Sequence, residues 1–242
     1  MRILVISDLH ANLTALEAVL AEAGKIDAAW CLGDLVGYGP DPNECIQTVR
    51  QLPNLVCILG NHDAATLNHI GVNAFNPEAR QAIYWTQKSL TPQGVEFLRS
   101  LPEKVTVGEV TLAHGSPRQP VWEYLLDTHT ATQNFAFFET PYCFIGHTHL
   151  PVCYNLRDGQ RMAELIIPET NQPIKLMPRT IINPGSVGQP RDRDPRASFA
   201  IYIPETQTWE NYRIPYDIQE VQARMVAAHL PERHIVRLEG GW

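Results

Sequence analysis

Short, almost wholly apolar runs recur along the first 150 residues, and each closes on a small residue followed by a polar one. They are Ile3-Leu4-Val5-Ile6-Ser7, Trp30-Cys31-Leu32-Gly33, Val56-Cys57-Ile58-Leu59-Gly60, Val110-Thr111-Leu112-Ala113 and Cys143-Phe144-Ile145-Gly146. Residues 2 to 7 barely alternate, which is the pattern of a strand buried on both faces. Asn12 then precedes a helical spacing, Leu13, Leu16, Val19 and Leu20, with Gly24 as its stop. A strand over 28–33, a Gly/Pro-rich loop over 37–42, a helix from Pro42 to Leu52 and a strand over 55–60 repeat the order. This β-α-β-α-β run predicts a parallel sheet with right-handed crossovers.

Farther along, residues 76–101 read as helix in two pieces, opened by Asn76-Pro77-Glu78 and by Thr91-Pro92 and stopped by Pro102. Strands are expected at 105–107, 110–113 and 142–146, with a helix over 129–138. Residues 152–183 are β-rich: Tyr154-Asn155-Leu156, a turn at Arg157-Asp158-Gly159, Glu164-Leu165-Ile166-Ile167 and Thr180-Ile181-Ile182. A hairpin joins Ser198–Ile203 to Thr208–Tyr212, and 217–229 is an amphipathic helix carrying Ile218, Val221 and Met225 on one face. No repeat, low-complexity tract or composition break divides the chain, so residues 1–242 are expected to form a single domain.

With 44% hydrophobic residues in 242, the chain can bury a substantial core. A formal charge of -7 supplies no basic field for a polyanion, which argues against nucleic acid as a partner. The five cysteines, Cys31, Cys45, Cys57, Cys143 and Cys153, show no CxxC spacing and read as buried reduced thiols. The opening apolar run is too short for a signal segment and no run approaches a membrane span, so a soluble cytoplasmic protein is expected, with no membrane partner.

The polar residues that close the apolar runs are Asp8 and His10, Asp34, Asn61 with His62, His114, and His147 with His149. Taken singly, each has a plain reading as a turn or surface residue. Five groups in one context, strand then small residue then potential ligand, weigh differently, because neighbouring parallel strands finishing on one edge would bring the side chains together. In extended backbone, Asp8 and His10 would project to the same face and reach one ion. Carboxylates, an amide and several imidazoles suit a pair of divalent transition ions better than calcium or magnesium.

Asp8-x-His10, Gly33-Asp34-x-x-Gly37, Gly60-Asn61-His62-Asp63, His114-Gly115 and Gly146-His147-Thr148-His149 resemble the five ordered motifs of the calcineurin-like metallophosphoesterases. Asn183-Pro184-Gly185-Ser186-Val187-Gly188 is similar to a later loop of the small bacterial and archaeal branch. The resemblance implies an α/β fold, a four-layer α-β-β-α sandwich of two mixed sheets. It also implies one ion on Asp8, His10, Asp34 and His149 and a second on Asp34, Asn61, His114 and His147, with Asp34 bridging. Manganese, iron, cobalt, nickel or zinc would suit such a site. Two ions roughly 3.5 Å apart can clamp a phosphoryl group and activate a bridging hydroxide for in-line attack. The resemblance further implies that His62 protonates the leaving alkoxide, and Asp63 is placed to orient it and raise its pKa.

Among the remaining histidines, His69, His129, His229 and His234 are expected at the surface or at an interface, with His69 a candidate roof over the site. Arg191, Arg193 and Arg196 either grip a phosphate or form a solvated loop with Asp192 and Asp194. Tyr38, Trp85, Trp122 and Tyr124 either stack on a base or pack inside. The function expected is hydrolysis of a small-molecule phosphate ester, of phosphodiester or nucleotide type. No arginine follows Gly60-Asn61-His62-Asp63, where Ala64-Ala65-Thr66 stand, and this argues against a protein phosphatase and a diadenosine tetraphosphate hydrolase. The alternatives are a non-catalytic scaffold of the same fold, a nucleotide or protein phosphatase, or a nuclease; the charge disfavours the last.

Overall fold

The computed structural model describes residues 1–242. Its elements run β1 (Ile3–Ile6), α1 (Leu13–Ala23), β2 (Ala28–Cys31), α2 (Pro42–Arg50), β3 (Val56–Cys57), α3 (Asn61–Thr66), α4 (Pro77–Ser89) and α5 (Pro92–Arg99). They continue with β4 (Lys104–Val107), β5 (Val110–Ala113), α6 (Thr128–Asn134), β6 (Tyr142–Phe144), β7 (Pro151–Asn155), β8 (Glu164–Ile166), β9 (Ile174–Lys175) and β10 (Thr180–Pro184). The chain ends with β11 (Ala197–Ile203), β12 (Thr208–Ile214), α7 (Ile218–Ala227) and α8 (Glu232–Gly240).

Two six-stranded mixed sheets result, ordered β3-β2-β1-β11-β12-β9 and β4-β5-β6-β10-β7-β8. β1, β2 and β3 are parallel, as the alternation of strand and helix predicts, and β5, β6 and β10 form the parallel heart of the second sheet. Side-chain period 2 sorts β1 between layers: Ile3 and Val5 join Trp30, Leu112, Phe144 and Tyr202 between the sheets, whereas Leu4 and Ile6 meet Leu16, Val19 and Ile46 beneath the helices. A third cluster puts Phe135 and Ala131 of the α6 region on Cys143, Tyr154 and Ile181 at the outer face of the second sheet. The order of layers is therefore helix, sheet, sheet, helix, the four-layer sandwich expected.

Boundaries differ where packing, rather than local pattern, decides. Only Val56 and Cys57 of the expected strand 55–60 enter the ladder, because the chain turns at Gly60 into α3. The expected helix 129–138 spans Thr128–Asn134 and tightens into a 3-10 turn at Phe135–Phe137. α8 has no counterpart in the expected elements. It packs on α7, and Leu238 joins Val221, Met225, Ala79 and Ala82 around Tyr38, which ties the C-terminal helix pair to the loop after β2. All five cysteines are free and buried, and no helix is long and apolar enough to cross a membrane.

Candidate metal centre

The C-terminal ends of the parallel strands of both sheets converge, and the polar residues that follow them are buried together. Asp8, His10, Asp34, Asn61, His62, His114, His147 and His149 are all 3% exposed or less. Three overlapping groups can each hold an ion: Asp8 with His10 and His149; His10 with Asp34 and His62; Asp34 with His114 and His147. Asp34 Oδ2 lies 3.6 Å from His10 Nε2 and 3.4 Å from His114 Nε2, so one carboxylate faces both ends of the cluster. Asn61 Oδ1 is 3.0 Å from His114 Nε2, and Asp8 Oδ1 is 3.2 Å from His149 Nε2.

The backbone reaches this arrangement through turns, which corrects one expectation. Asp8 and His10 do not lie in extended chain: Asp8, His10, Ala11, Asp34, Tyr38, His147 and His149 all have positive φ, between 46° and 66°. Left-handed backbone is costly for residues with a Cβ and is tolerated best by Asp, Asn and His. Hydrogen bonds between loops hold the turns: Asp8 and His10 donate N–H to the carbonyls of Gly33 and Asp34, and His147 N–H donates to the Asp8 carboxylate at 3.0 Å. Gly146 lets the two sheets close here, since a Cβ on it would overlap Ser7 Oγ and lie 2.9 Å from Asp8 Oδ2. The Asn183–Gly188 loop braces the same seam. Asn183 Nδ2 donates to the Gly146 carbonyl at 2.7 Å, and Ser186 Oγ donates to the Asp8 carbonyl at 2.8 Å.

Each ligand-type imidazole has one nitrogen on a main-chain carbonyl: His10 Nδ1 on Val36, His114 Nδ1 on Leu32, His149 Nδ1 on Gln189, and His147 Nε2 on Trp122. Carbonyls only accept, so these nitrogens carry protons; the opposite nitrogens of His10, His147 and His149 turn lone pairs inward, and that of His114 does so once its second proton is lost. His10 Nε2 and His149 Nε2 then face each other at 3.1 Å, lone pair to lone pair, beside the Asp8 carboxylate. Acceptors packed this closely require a cation or a proton among them. The donor set, nitrogen and oxygen with carbonyl-oriented imidazoles, fits divalent transition ions.

Electrostatics tell the same story. Burial opposes ionisation of Asp8 and Asp34, yet neighbouring imidazoles outweigh it, His149 then His114 at Asp8 and His114 then His62 at Asp34, and both carboxyls are held below the usual range. Burial pushes His147 down to about 3 and His62 down to about 4. Burial also opposes the charged form of His114, but Asp34 prevails and lifts it to about 9. In the ion-free protein the positive charge of the centre thus rests on His114.

His62 lies at the rim of the group, in van der Waals reach of Tyr38 and Phe75, with ring centroids 4.3 and 5.0 Å away. Its Nδ1 is buried and has no partner. Asp63 does not orient it, contrary to expectation. Consecutive helical residues point apart, and the Asp63 carboxylate instead accepts from Gly60 N–H at 3.0 Å and Val36 N–H at 3.1 Å, fixing the start of α3 against the loop after β2. Burial and the charge of Asp34 push Asp63 up to about 7.

A match to the calcineurin-like phosphoesterase superfamily domain covers residues 1–207. The chain belongs to that superfamily. This phosphoesterase is 46% identical to a metallophosphoesterase from Sphaerobacter thermophilus, whose crystal structure superposes with a TM-score of 0.91 over 100% of this chain and 99% of that one. It is 37% identical to an uncharacterised protein of Methanocaldococcus jannaschii, over 95% of this chain and 94% of the other. A shorter match, 36% identity over 81 residues, links it to a symmetrical bis(5'-nucleosyl)-tetraphosphatase of Pectobacterium carotovorum, covering 31% of this chain and 29% of that protein.

The remaining candidates divide. His69, His129 and His229 are exposed as expected, but His234 is buried at 2% exposure, because α8 carries it onto the Tyr38 ring at 4.4 Å. Arg196 is paired with Asp194, Arg193 is exposed, and only Arg191 turns toward the centre, with its Cζ 5.9 Å from the Tyr38 ring. Tyr124 stacks on His147 at 3.8 Å and remains 45% exposed, whereas Trp85 packs between helices. Sequence reading passed over Gln189 and the Trp122 carbonyl, which orient His149 and His147. Backbone acceptors leave no side-chain signal; Gln189 follows directly on the Asn183–Gly188 loop, and that position was its only sign.

Proposed function

We propose that this protein, acting as one domain, hydrolyses small-molecule phosphate esters of phosphodiester or nucleotide type at a centre of two divalent transition ions. Asp8, His10, Asp34 and His149 would hold one ion and Asp34, Asn61, His114 and His147 the other. The observation that carries the reading is the inward convergence of lone pairs, His10 Nε2 on His149 Nε2 at 3.1 Å, with Asp34 Oδ2 reaching both His10 and His114. Such ions supply charge to the phosphoryl oxygens and lower the pKa of water.

The chain's own residues do the rest. The main-chain carbonyls of Val36, Leu32, Gln189 and Trp122 fix the four imidazole orientations, so no ring has to turn when ions arrive. His62, with one ring nitrogen grouped with His10 and Asp34, is assigned to protonate the leaving oxygen. Burial holds it near 4 without substrate; a phosphate anion beside the ring acts in the opposite direction, so acid strength is tuned by occupancy rather than by Asp63. The partial match to a bis(5'-nucleosyl)-tetraphosphatase supports a nucleotide-type substrate.

The test is a panel of phosphomonoesters, cyclic nucleotides, dinucleotides and phosphodiesters, each assayed with manganese, nickel and zinc. His62→Gln should lower turnover by about a hundredfold or more while ion content by elemental analysis is retained. Absence of turnover on every member by ion-loaded protein would leave a scaffold of the same fold, and equal loss of ions and turnover in His62→Gln would remove the acid role.

A further inference from the structure

Two arginines beside the centre have no carboxylate to answer them. Arg191, in the loop before β11, and Arg237, on α8, donate to the same atom, Gln189 Oε1, at 3.0 and 3.2 Å. An amide oxygen carries no net charge, so both guanidiniums stay uncompensated. The acids nearest Arg191 in sequence are engaged elsewhere, Asp192 by Arg213 and Asp194 by Arg196, and Glu232 and Glu239 on α8 form no ion pair with Arg237. Arg191 Nε, Arg237 Nε and Gln189 Nε2 are all buried donors without acceptors, while both guanidinium side chains remain partly open to solvent.

This patch abuts the centre. The Gln189 main-chain carbonyl accepts from His149 Nδ1, and the Tyr38 ring separates Arg191 from His10 and His62, with centroids 4.6 and 4.3 Å from those imidazoles. α8 is held in place by Arg193 N–H donating to the Gly241 carbonyl at 2.7 Å and by the approach of Gly241 to the Asp194 backbone. Residues 208–242, which bring Arg237, lie beyond the matched superfamily region. Two planar forks with spare N–H groups suit a phosphate, whose three terminal oxygens point in different directions and can accept from both at once, better than a planar carboxylate, whose two oxygens match a single fork.

We infer that Arg191, Arg237 and the Gln189 amide form an anion subsite for a second phosphate group, adjacent to the one that reacts, so that preferred substrates carry two neighbouring phosphates. The inference rests on the reading of the centre as a phosphoesterase. Its test is a binding measurement, calorimetry of AMP and of the non-hydrolysed α,β-methylene analogue of ADP on manganese-loaded protein. The parent should prefer the diphosphate analogue, and Arg191→Gln and Arg237→Gln should each reduce that preference about tenfold, with Arg237→Lys restoring part of it. The two variants sit on separate segments, and circular dichroism checks that each folds. No preference in the parent, or a preference unchanged in both folded variants, overturns the subsite even if the protein hydrolyses phosphate esters. Loss of preference in the variants of a protein that hydrolyses nothing would uphold the subsite and reject the hydrolase.

Discussion

His234 offers a quantitative check on how α8 is held. Its ring is 2% exposed, packs 4.4 Å from Tyr38, and has no hydrogen-bond partner at either nitrogen; a Glu78 backbone group lies near enough to favour the charged form weakly without making a bond of normal geometry. Burial, then Arg237, His62 and Arg191, push it down to about 3, against about 6.5 in an unfolded chain. Between those values the unfolded state binds a proton that the folded state refuses, so stability falls as pH drops below about 6.5 and goes on falling to about 3. At about 1.4 kcal/mol per pH unit, the loss at pH 5 is about 2 kcal/mol. His234→Leu removes this linkage. It also removes two unpaired buried nitrogens, a gain of about 1–3 kcal/mol, against a stacking loss of about 0.5–1.5 kcal/mol. The variant should therefore lie between about 0.5 kcal/mol below and about 2.5 kcal/mol above the parent at pH 8, and the balance should move about 2 kcal/mol further toward the variant at pH 5. Urea unfolding of both proteins with chelator present, at the two pH values, reads this directly, because the other histidines cancel in the difference. A parent-to-variant gap that is the same at pH 8 and pH 5 would refute the reasoning.

Two further outcomes test the centre. A Cβ on Gly60 would overlap Asp34 Oδ1 and come within 2.8 Å of its Cγ, although the Gly60 backbone, at φ -91°, accepts alanine without strain. Gly60→Ala should cost about 1–3 kcal/mol and lose bound ions on elemental analysis; normal ion content would mean that Asp34 is not where the ions bind. Because Asp34 lifts His114 to about 9, the ion-free protein carries a proton there at pH 7.5 that an ion must expel, and affinity should rise with pH until about 9. Calorimetric ion titration in buffers of different ionisation enthalpy should report proton release, and none would contradict a protonated His114.

The layered fold and the clustering of Asp and His groups able to hold an ion were legible because both follow from local pattern. Apolar runs with a small residue and a ligand at the end specify parallel strands that share an edge, and the edge assembles Asp8, Asp34, His114 and His149. What stayed hidden depends on contacts between distant segments. Asp63 reads as a partner for His62 by adjacency, but the start of α3 turns its carboxylate to Gly60 and Val36. His234 and Arg237 sit 85 or more positions beyond His149, on a helix whose destination depends on Gly241 docking against Asp194. Nor does sequence spacing reveal that Asp8 and His10 meet their neighbours through left-handed turns.

Those turns restrict how this centre can change over evolutionary time. At Asp8, His10, Asp34, His147 and His149 the residue that would bind an ion is also the one that must sustain a positive φ, so branched or bulky apolar replacements are penalised by the backbone before chemistry is considered. Asn and Gly remain open to drift, and both would discard a carboxylate charge at Asp8 and Asp34 or an imidazole lone pair at the three histidines while preserving the bend. Inactivation is thus a short mutational step that leaves the architecture whole, and a descendant that had lost turnover would carry Asn or Gly at these five places rather than Val or Ile.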